Sequence, residues 1–291
     1  MGTAMKIEEI HADFGVRITG LDMTKALSPM DHAALADAVD RYSFIVMPGQ
    51  DGMNDDRQLE LTQSFGEPEY GHVAYGESGK IEYFGTIGNV QPDGTALGNS
   101  DKKTVFLTGN NMWHSDSSFR EVPAFLSIMC AYECPDEGGE TLFVSTRAAH
   151  GRLDAEEQER LDPMVGIHDY TYSRSKVAPD AVSPSLSASL PPVRQRLVRT
   201  NPRTGEKNLF IGSHCREIEG MGYDESRPML DDLTDRAVAD EHVLSHRWRP
   251  GDVVLWDNRC LLHRGAGYDA DKYRRYMRQT RVRGAGSSMA E

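Results

Sequence analysis

The chain has 291 residues, enough for one large or two modest domains and for a sizeable buried core. Its 45 acidic residues outnumber 32 basic ones, and the net charge of -13 argues against a phosphate backbone or an anionic bilayer as principal partner, so any bound anion must meet a local cationic site. With 38% hydrophobic residues and apolar runs no longer than stretches such as Phe44–Met47, no membrane span is expected; the N-terminus lacks an apolar signal core, and Cys130, Cys134, Cys215 and Cys260 are too sparse for a disulfide framework, which points to the cytoplasm.

In chain order, the first helix is expected from Ser28 as cap and Pro29 in the first turn, with Leu35, Val39 and Tyr42 on one face. A strand at Phe44–Met47 ends at Pro48-Gly49, and a second helix runs from Asn54 through Leu59 and Leu61 to Phe65, broken by Gly66 and Pro68. Residues 67–111, rich in Gly, Asn, Asp and Ser, read as flexible loops between short strands and as a mobile cover over a site; 173–192, rich in Ser and Pro, reads as an insertion or lid. Strand patterns follow at 124–130, 141–144, 197–200, 208–212, 252–256 and 273–282, interrupted by helices near 145–160 and 224–239. Many short strands with flanking helices predict a mainly β fold, a single domain over 1–291 with a jelly-roll or cupin-like core.

His114-Ser115-Asp116 is the first candidate for metal chemistry. On an extended strand residues two apart share a face, so His114 and Asp116 would both point into a barrel mouth. The triplet is weak evidence alone, since His11-Ala12-Asp13 repeats it ahead of any core strand. Weight comes from Trp256-Asp-Asn-Arg-Cys-Leu-Leu-His-Arg264, where a buried strand is followed by His263. Two imidazoles and one carboxylate form a facial triad with open positions, which suits iron(II) that must bind a cosubstrate and dioxygen; a zinc hydrolase and a non-catalytic cupin-like binding protein stand as the other readings. Beyond His263, the alternation puts Arg274, Tyr276, Arg278 and Thr280 on one strand face. Two guanidiniums in one cavity would call for two anions, a dicarboxylate cosubstrate and an acidic substrate; a surface strand with exposed arginines is the bland alternative.

These residues carry a resemblance. Trp113-His-Ser-Asp-Ser-Ser-Phe119, Gly138-Gly-Glu-Thr141, Pro191-Pro192 with Leu197-Val-Arg-Thr200, Leu209-Phe-Ile-Gly-Ser-His214 and Trp256 to Gly265 together resemble the taurine dioxygenase and 2,4-dichlorophenoxyacetate dioxygenase family of iron(II)/2-oxoglutarate-dependent oxygenases, nearest its phenoxyalkanoate branch. The resemblance implies a double-stranded β-helix core, and His114, Asp116 and His263 as ligands of Fe(2+). It implies that Arg274, helped by Thr141, holds the distal carboxylate of 2-oxoglutarate, and that Arg278 holds the substrate's anionic group. Asn110 and His214 match positions near the substrate pocket, while His72 sits where members differ and its role is open. The implied activity uses 2-oxoglutarate and O2 as cosubstrates and hydroxylates a small anionic molecule, foremost an aryloxyalkanoate such as 2,4-dichlorophenoxyacetate. Ether cleavage then gives a phenol and an oxo acid such as glyoxylate, with succinate and CO2. A taurine-like sulfonate or another small carboxylate is the alternative substrate, and a homo-oligomer is the expected assembly.

Overall fold

The structure is a computed structural model that describes residues 5–71, 83–91, 93–178 and 182–291. The first helix, Pro29–Tyr42, starts where Ser28 accepts a hydrogen bond from the Asp31 N–H, and it stops at Ser43 in the left-handed region (φ 63°). The second, Asp55–Phe65, is capped by Asn54, which accepts from the Arg57 N–H at 2.9 Å. No described helix is long and apolar enough to cross a membrane.

Two sheets face each other across the site. The larger has seven strands in the order Lys6–Glu9, Val16–Thr19, Phe44–Met47, Val253–Asp257, Ala124–Glu133, Tyr276–Arg283, Gly85–Gly88. The smaller has three, Leu244–His246, Thr141–Ser145 and Leu261–Gly265. From residue 124 onward the core strands cross between the two: 124–133 large, 141–145 small, 244–246 small, 253–257 large, 261–265 small, 276–283 large.

The strands Phe44–Met47, Val253–Asp257 and Ala124–Glu133 of the large sheet are buried on both faces, which explains why they read as continuous apolar runs. Ile45, Met47, Leu126, Ile128, Cys130, Val253, Leu255 and Val282 face outward onto Leu35, Val39 and Leu61 of the two helices. The alternate positions Phe44, Val46, Met129, Ala131, Val254, Trp256 and Met277 face inward onto Phe143 and Leu261 of the small sheet. Gln58 ties the second helix to the outer face, donating to the carbonyls of Ile128 and Arg278 at 3.0 Å each. A separate apolar cluster, with Leu161, Leu197, Ile211, Ile218, Leu230 and Leu233, backs the small sheet from the other side.

Several expectations shift. The helix expected near 145–160 is two helices, Thr146–Gly151 and Ala155–Leu161, divided where Asp154 caps the second by accepting from the Glu157 N–H. The last strand, expected from 273, begins at Tyr276, and residues 266–275 form the connection. The segment 67–111, expected as loops between short strands, holds one such strand, Gly85–Gly88, but also the helix Lys102–Leu107 and a 3-10 turn at Thr108–Asn111; that at 173–192 includes the helix Pro184–Ser189. His72 lies outside the described residues.

His168, fully buried, stacks on Phe210 at 5.3 Å, and burial pulls its pKa down to about 3. The unfolded chain, with a histidine pKa near 6.5, takes up the proton first as pH falls. Stability present above pH 6.5 is therefore lost progressively toward pH 3. In urea unfolding, wild type should lose ground against a His168→Leu variant as pH drops from 6.5 to 4, by at most about 1.4 kcal/mol per pH unit.

Candidate metal centre and cavity

The strand Leu261–Gly265 pairs along one edge with Thr141–Ser145, setting His263 opposite Phe143. On its other side His263 meets His114 in an isolated antiparallel bridge, His114 N–H to His263 C=O at 3.0 Å and the reverse at 2.9 Å. Residues paired in this way project their side chains to the same side, and the two imidazole rings lie 4.2 Å apart. Asp116 reaches the same point by a different route from the one its spacing suggests. The chain leaves extended geometry after His114 and enters a turn with Ser117 at φ 56°, while Ser115 donates to the Asn258 carbonyl. Asp116 Oδ1 comes to 3.8 Å from Nε2 of both histidines. Their ligand atoms lie within 4.8 Å of one another, and this is the one His/Cys/Asp/Glu group among the described residues arranged to hold a metal ion.

The surroundings fix which atoms are offered. His114 Nδ1 lies 2.7 Å from the Met112 carbonyl, which can only accept, so the ring proton sits there and Nε2 keeps its lone pair. Asp116 Oδ2 accepts from Ser127 Oγ at 2.6 Å and Gln279 Nε2 at 2.8 Å, leaving Oδ1 toward the cavity. Ser127 is held by the Asn258 amide at 2.8 Å, and Asn258 Oδ1 receives the Trp256 indole N–H at 3.1 Å. Burial favours the neutral carboxyl at Asp116, but His263, Arg281, His114 and the Ser127 hydrogen bond outweigh it and hold its pKa below the ordinary carboxylate value. Burial lowers the pKa of His114 against the pull of Asp116, and pushes His263 down to about 3. Two neutral imidazoles and one ionised carboxylate are the protonation states a divalent metal needs, and three donors on one side leave coordination positions free.

The cluster closes one end of a cavity of about 170 Å³. Thr141, Arg275, Asn110, Gln279, Met129 and Trp256 contribute to its walls. Thr141 Oγ1 accepts the Trp248 indole N–H at 2.9 Å, which leaves its own proton free to donate. Arg275 is 7% exposed; burial lowers its pKa, Nε has no hydrogen-bond partner, and its guanidinium meets no carboxylate among the described residues. Gly88 makes room beside it: at φ 135° it carries no Cβ, which would collide with the Arg275 backbone.

The structure departs from the expectations for the arginines. Arg274 is exposed and pairs with Glu133 at 2.6 Å while donating to the Gly94 carbonyl, so it does not face the cavity. Arg278 pairs with Asp55 of the second helix at 2.6 Å and lies over Phe84. The reason is strand parity. Tyr276, Arg278 and Thr280 do alternate together, but Thr280 meets Gln58 and Thr62 of the outer helix, whereas Met277 and Gln279 turn inward. Arg275 and Gln279 therefore occupy the places expected for Arg274 and Arg278. Asn110 lines the cavity as expected. His214 stands edge-on to His114 at 6.0 Å, with Nδ1 2.7 Å from Ser173 Oγ, and does not itself line the cavity. Residues the sequence reading passed over are Arg275, Gln279, Ser127 and Asn258. The available signal was that Met277 and Val282, both apolar, have opposite parity, which marks a strand buried on both faces.

A family model described as taurine catabolism dioxygenase TauD, TfdA family matches residues 6–281. An alpha-ketoglutarate-dependent 2,4-dichlorophenoxyacetate dioxygenase of Cupriavidus pinatubonensis is 34% identical over 274 residues, 93% of this chain and 95% of that protein. An (S)-phenoxypropionate/alpha-ketoglutarate-dioxygenase of Sphingobium herbicidovorans is 33% identical over 299 residues, 99% and 98% of the two chains. Among solved structures, the crystal structure of AAD-2 in complex with Mn(II) and N-oxalylglycine superposes with a TM-score of 0.89 at 33% identity, covering 98% of this chain and 99% of that one.

Because Gln279 supplies one of the two hydrogen bonds that orient Asp116, Gln279→Ala should weaken manganese(II) binding by about 10-fold or more with the fold intact. Titration followed by electron paramagnetic resonance, alongside circular dichroism, measures both.

Proposed function

The chain belongs to the taurine catabolism dioxygenase TauD, TfdA family, and on that premise we propose that His114, Asp116 and His263 hold the iron(II) of a 2-oxoglutarate-dependent dioxygenase. When bound, iron(II) with 2-oxoglutarate and dioxygen supplies oxidation of a substrate C–H bond, coupled to formation of succinate and CO2. Arg275, which meets no carboxylate among the described residues, takes the distal carboxylate of 2-oxoglutarate bidentately, and the Thr141 hydroxyl donates to the same group. Trp256, Met129 and Ile87 supply apolar wall that excludes water and holds the substrate carbon. The two facing sheets are read as a double-stranded β-helix forming one domain. The four free thiols fit a cytoplasmic setting.

The substrate class follows from the relatives that match nearly the whole chain, which are named for 2,4-dichlorophenoxyacetate and phenoxypropionate. An aryloxyalkanoate hydroxylated on the carbon beside its ether oxygen collapses to a phenol and an oxo acid. The observation that carries the reading is the buried His–Asp–His group beside a buried, unneutralised arginine in one cavity.

The test is succinate formation by anaerobically iron-loaded protein given 2-oxoglutarate, oxygen and a panel of phenoxyacetates, phenoxypropionates and taurine. Phenol release with strict oxygen dependence is the expected result; sulfite from taurine would move the substrate to sulfonates, and absence of 2-oxoglutarate turnover and binding would overturn the enzyme. Within that assay Arg275→Gln should raise KM for 2-oxoglutarate on the order of 10- to 100-fold, from loss of a charge-assisted pair. Arg274→Gln should stay within about twofold, because Arg274 pairs with Glu133 at the surface.

A further inference from the structure

Gln279 stands where an anion-holding arginine was expected, and Arg275 is the one Arg or Lys among the described residues lining the cavity. If Arg275 serves 2-oxoglutarate, the described residues of the wall offer no second arginine or lysine to a substrate carboxylate. One lies directly behind it. Arg174 is 8% exposed and held between Phe106 and Tyr170, its guanidinium carbon 5.0 and 5.3 Å from their ring centres. It rests on Gly109, where any Cβ would collide with the guanidinium. Among the described residues Arg174 and Arg275 are the two buried arginines that meet no carboxylate within 4.0 Å, and each has a buried Nε without a hydrogen-bond partner. A buried guanidinium without a counter-ion is costly, and aromatic faces offset that cost without neutralising the charge.

Arg174 also dictates what Asn110 presents. Its Nη2 donates to Asn110 at 3.0 Å, and a guanidinium has only donors, so the Asn110 atom facing it must be the carbonyl oxygen. The Asn110 NH2 is thereby left for another acceptor, and Asn110 lines the cavity. The same arrangement operates at the metal end, where Arg281 donates to Gln279 Oε1 and the Gln279 NH2 donates to Asp116.

We propose that Arg174 is the positioning residue for the substrate's carboxylate: it turns the Asn110 amide N–H toward that group and supplies the counter-charge from behind the wall. The inference rests on the dioxygenase reading for the role of Arg275 but assigns the anionic end of the substrate to a different part of the chain from Arg278. Neutral relatives of the substrate should bind less well for electrostatic reasons alone, because the cation is fixed and poorly screened in a low-dielectric wall.

The test compares phenoxyacetate with its neutral isostere phenoxyacetamide, using anaerobic calorimetry on protein loaded with iron(II) and 2-oxoglutarate. Wild type should prefer the acid. Arg174→Gln should weaken phenoxyacetate roughly tenfold or more while phenoxyacetamide stays within about twofold, and Arg174→Lys should recover part of the preference. KM for 2-oxoglutarate should be unmoved in both variants. Equal weakening of both probes would mark Arg174 as mere packing, and an unchanged preference, or a wild type that binds the amide as tightly as the acid, would likewise overturn the proposal. The dioxygenase reading fails separately, through absence of both 2-oxoglutarate turnover and 2-oxoglutarate binding in wild type; an Arg174-dependent preference for the acid would stand in that case.

Discussion

Two backbone hydrogen bonds between His114 and His263 are the constraint on which the site depends. They bring together segments almost 150 positions apart and fix both imidazoles on one side of a pleat without any help from the metal. Asp116 needs a separate device, because the alternation that would have carried it ends at a turn. Ser127 on Ala124–Glu133, Asn258 just beyond Val253–Asp257 on one side of it and Gln279 on Tyr276–Arg283 on the other hold it or its supporting hydroxyl, so the third donor is located by the large sheet and the first two by the edge of the small one. The centre thus sits at the seam between the sheets, and its geometry reports how the two are packed.

Charge is distributed unevenly around that seam. Asp116 is over-supported, with the Arg281 guanidinium nearby and two hydrogen bonds on its outer oxygen, and Arg281 is itself paired with Glu69 at 2.8 Å. Arg275 and Arg174 are under-supported. A protein of net charge -13 has many carboxylates, yet among the described residues none is placed beside these two. Leaving them without internal counter-ions makes the empty cavity electrostatically unfavourable and reserves that free energy for ligands carrying carboxylates.

Much of this architecture was legible in the sequence because it is local. Ser28 and Pro29, Asn54 and Gly66 mark helix ends through capping and backbone chemistry, and Phe44–Met47 is a strand bounded by Pro-Gly. The three metal-site residues were legible through motif and spacing, although the extended geometry invoked for His114 to Asp116 was not what delivers them. The arginines were not legible, because alternation tells which residues share a face but not which face is which. On a strand buried on both sides, hydrophobicity gives no preference, and only the helix packed behind it decides. Arg174, Ser127 and Asn258 were out of reach for a different reason: their roles are contacts between segments far apart in the chain.

The strand Tyr276–Arg283 is paired on both edges, so its register is held by Ala124–Glu133 and Gly85–Gly88, while the connection 266–275 that leads into it is irregular. Lengthening that connection by one residue ahead of Arg274, with the strand slipping to match, would exchange the two faces wholesale. Arg274 and Arg278 would enter the cavity, Gln279 would leave it toward the helix Asp55–Phe65, and Arg275 would leave it for the outer face of the sheet. A single insertion there is thus equivalent to rewriting four side chains around the binding pocket at once, and the length of the loop becomes part of the enzyme's specificity.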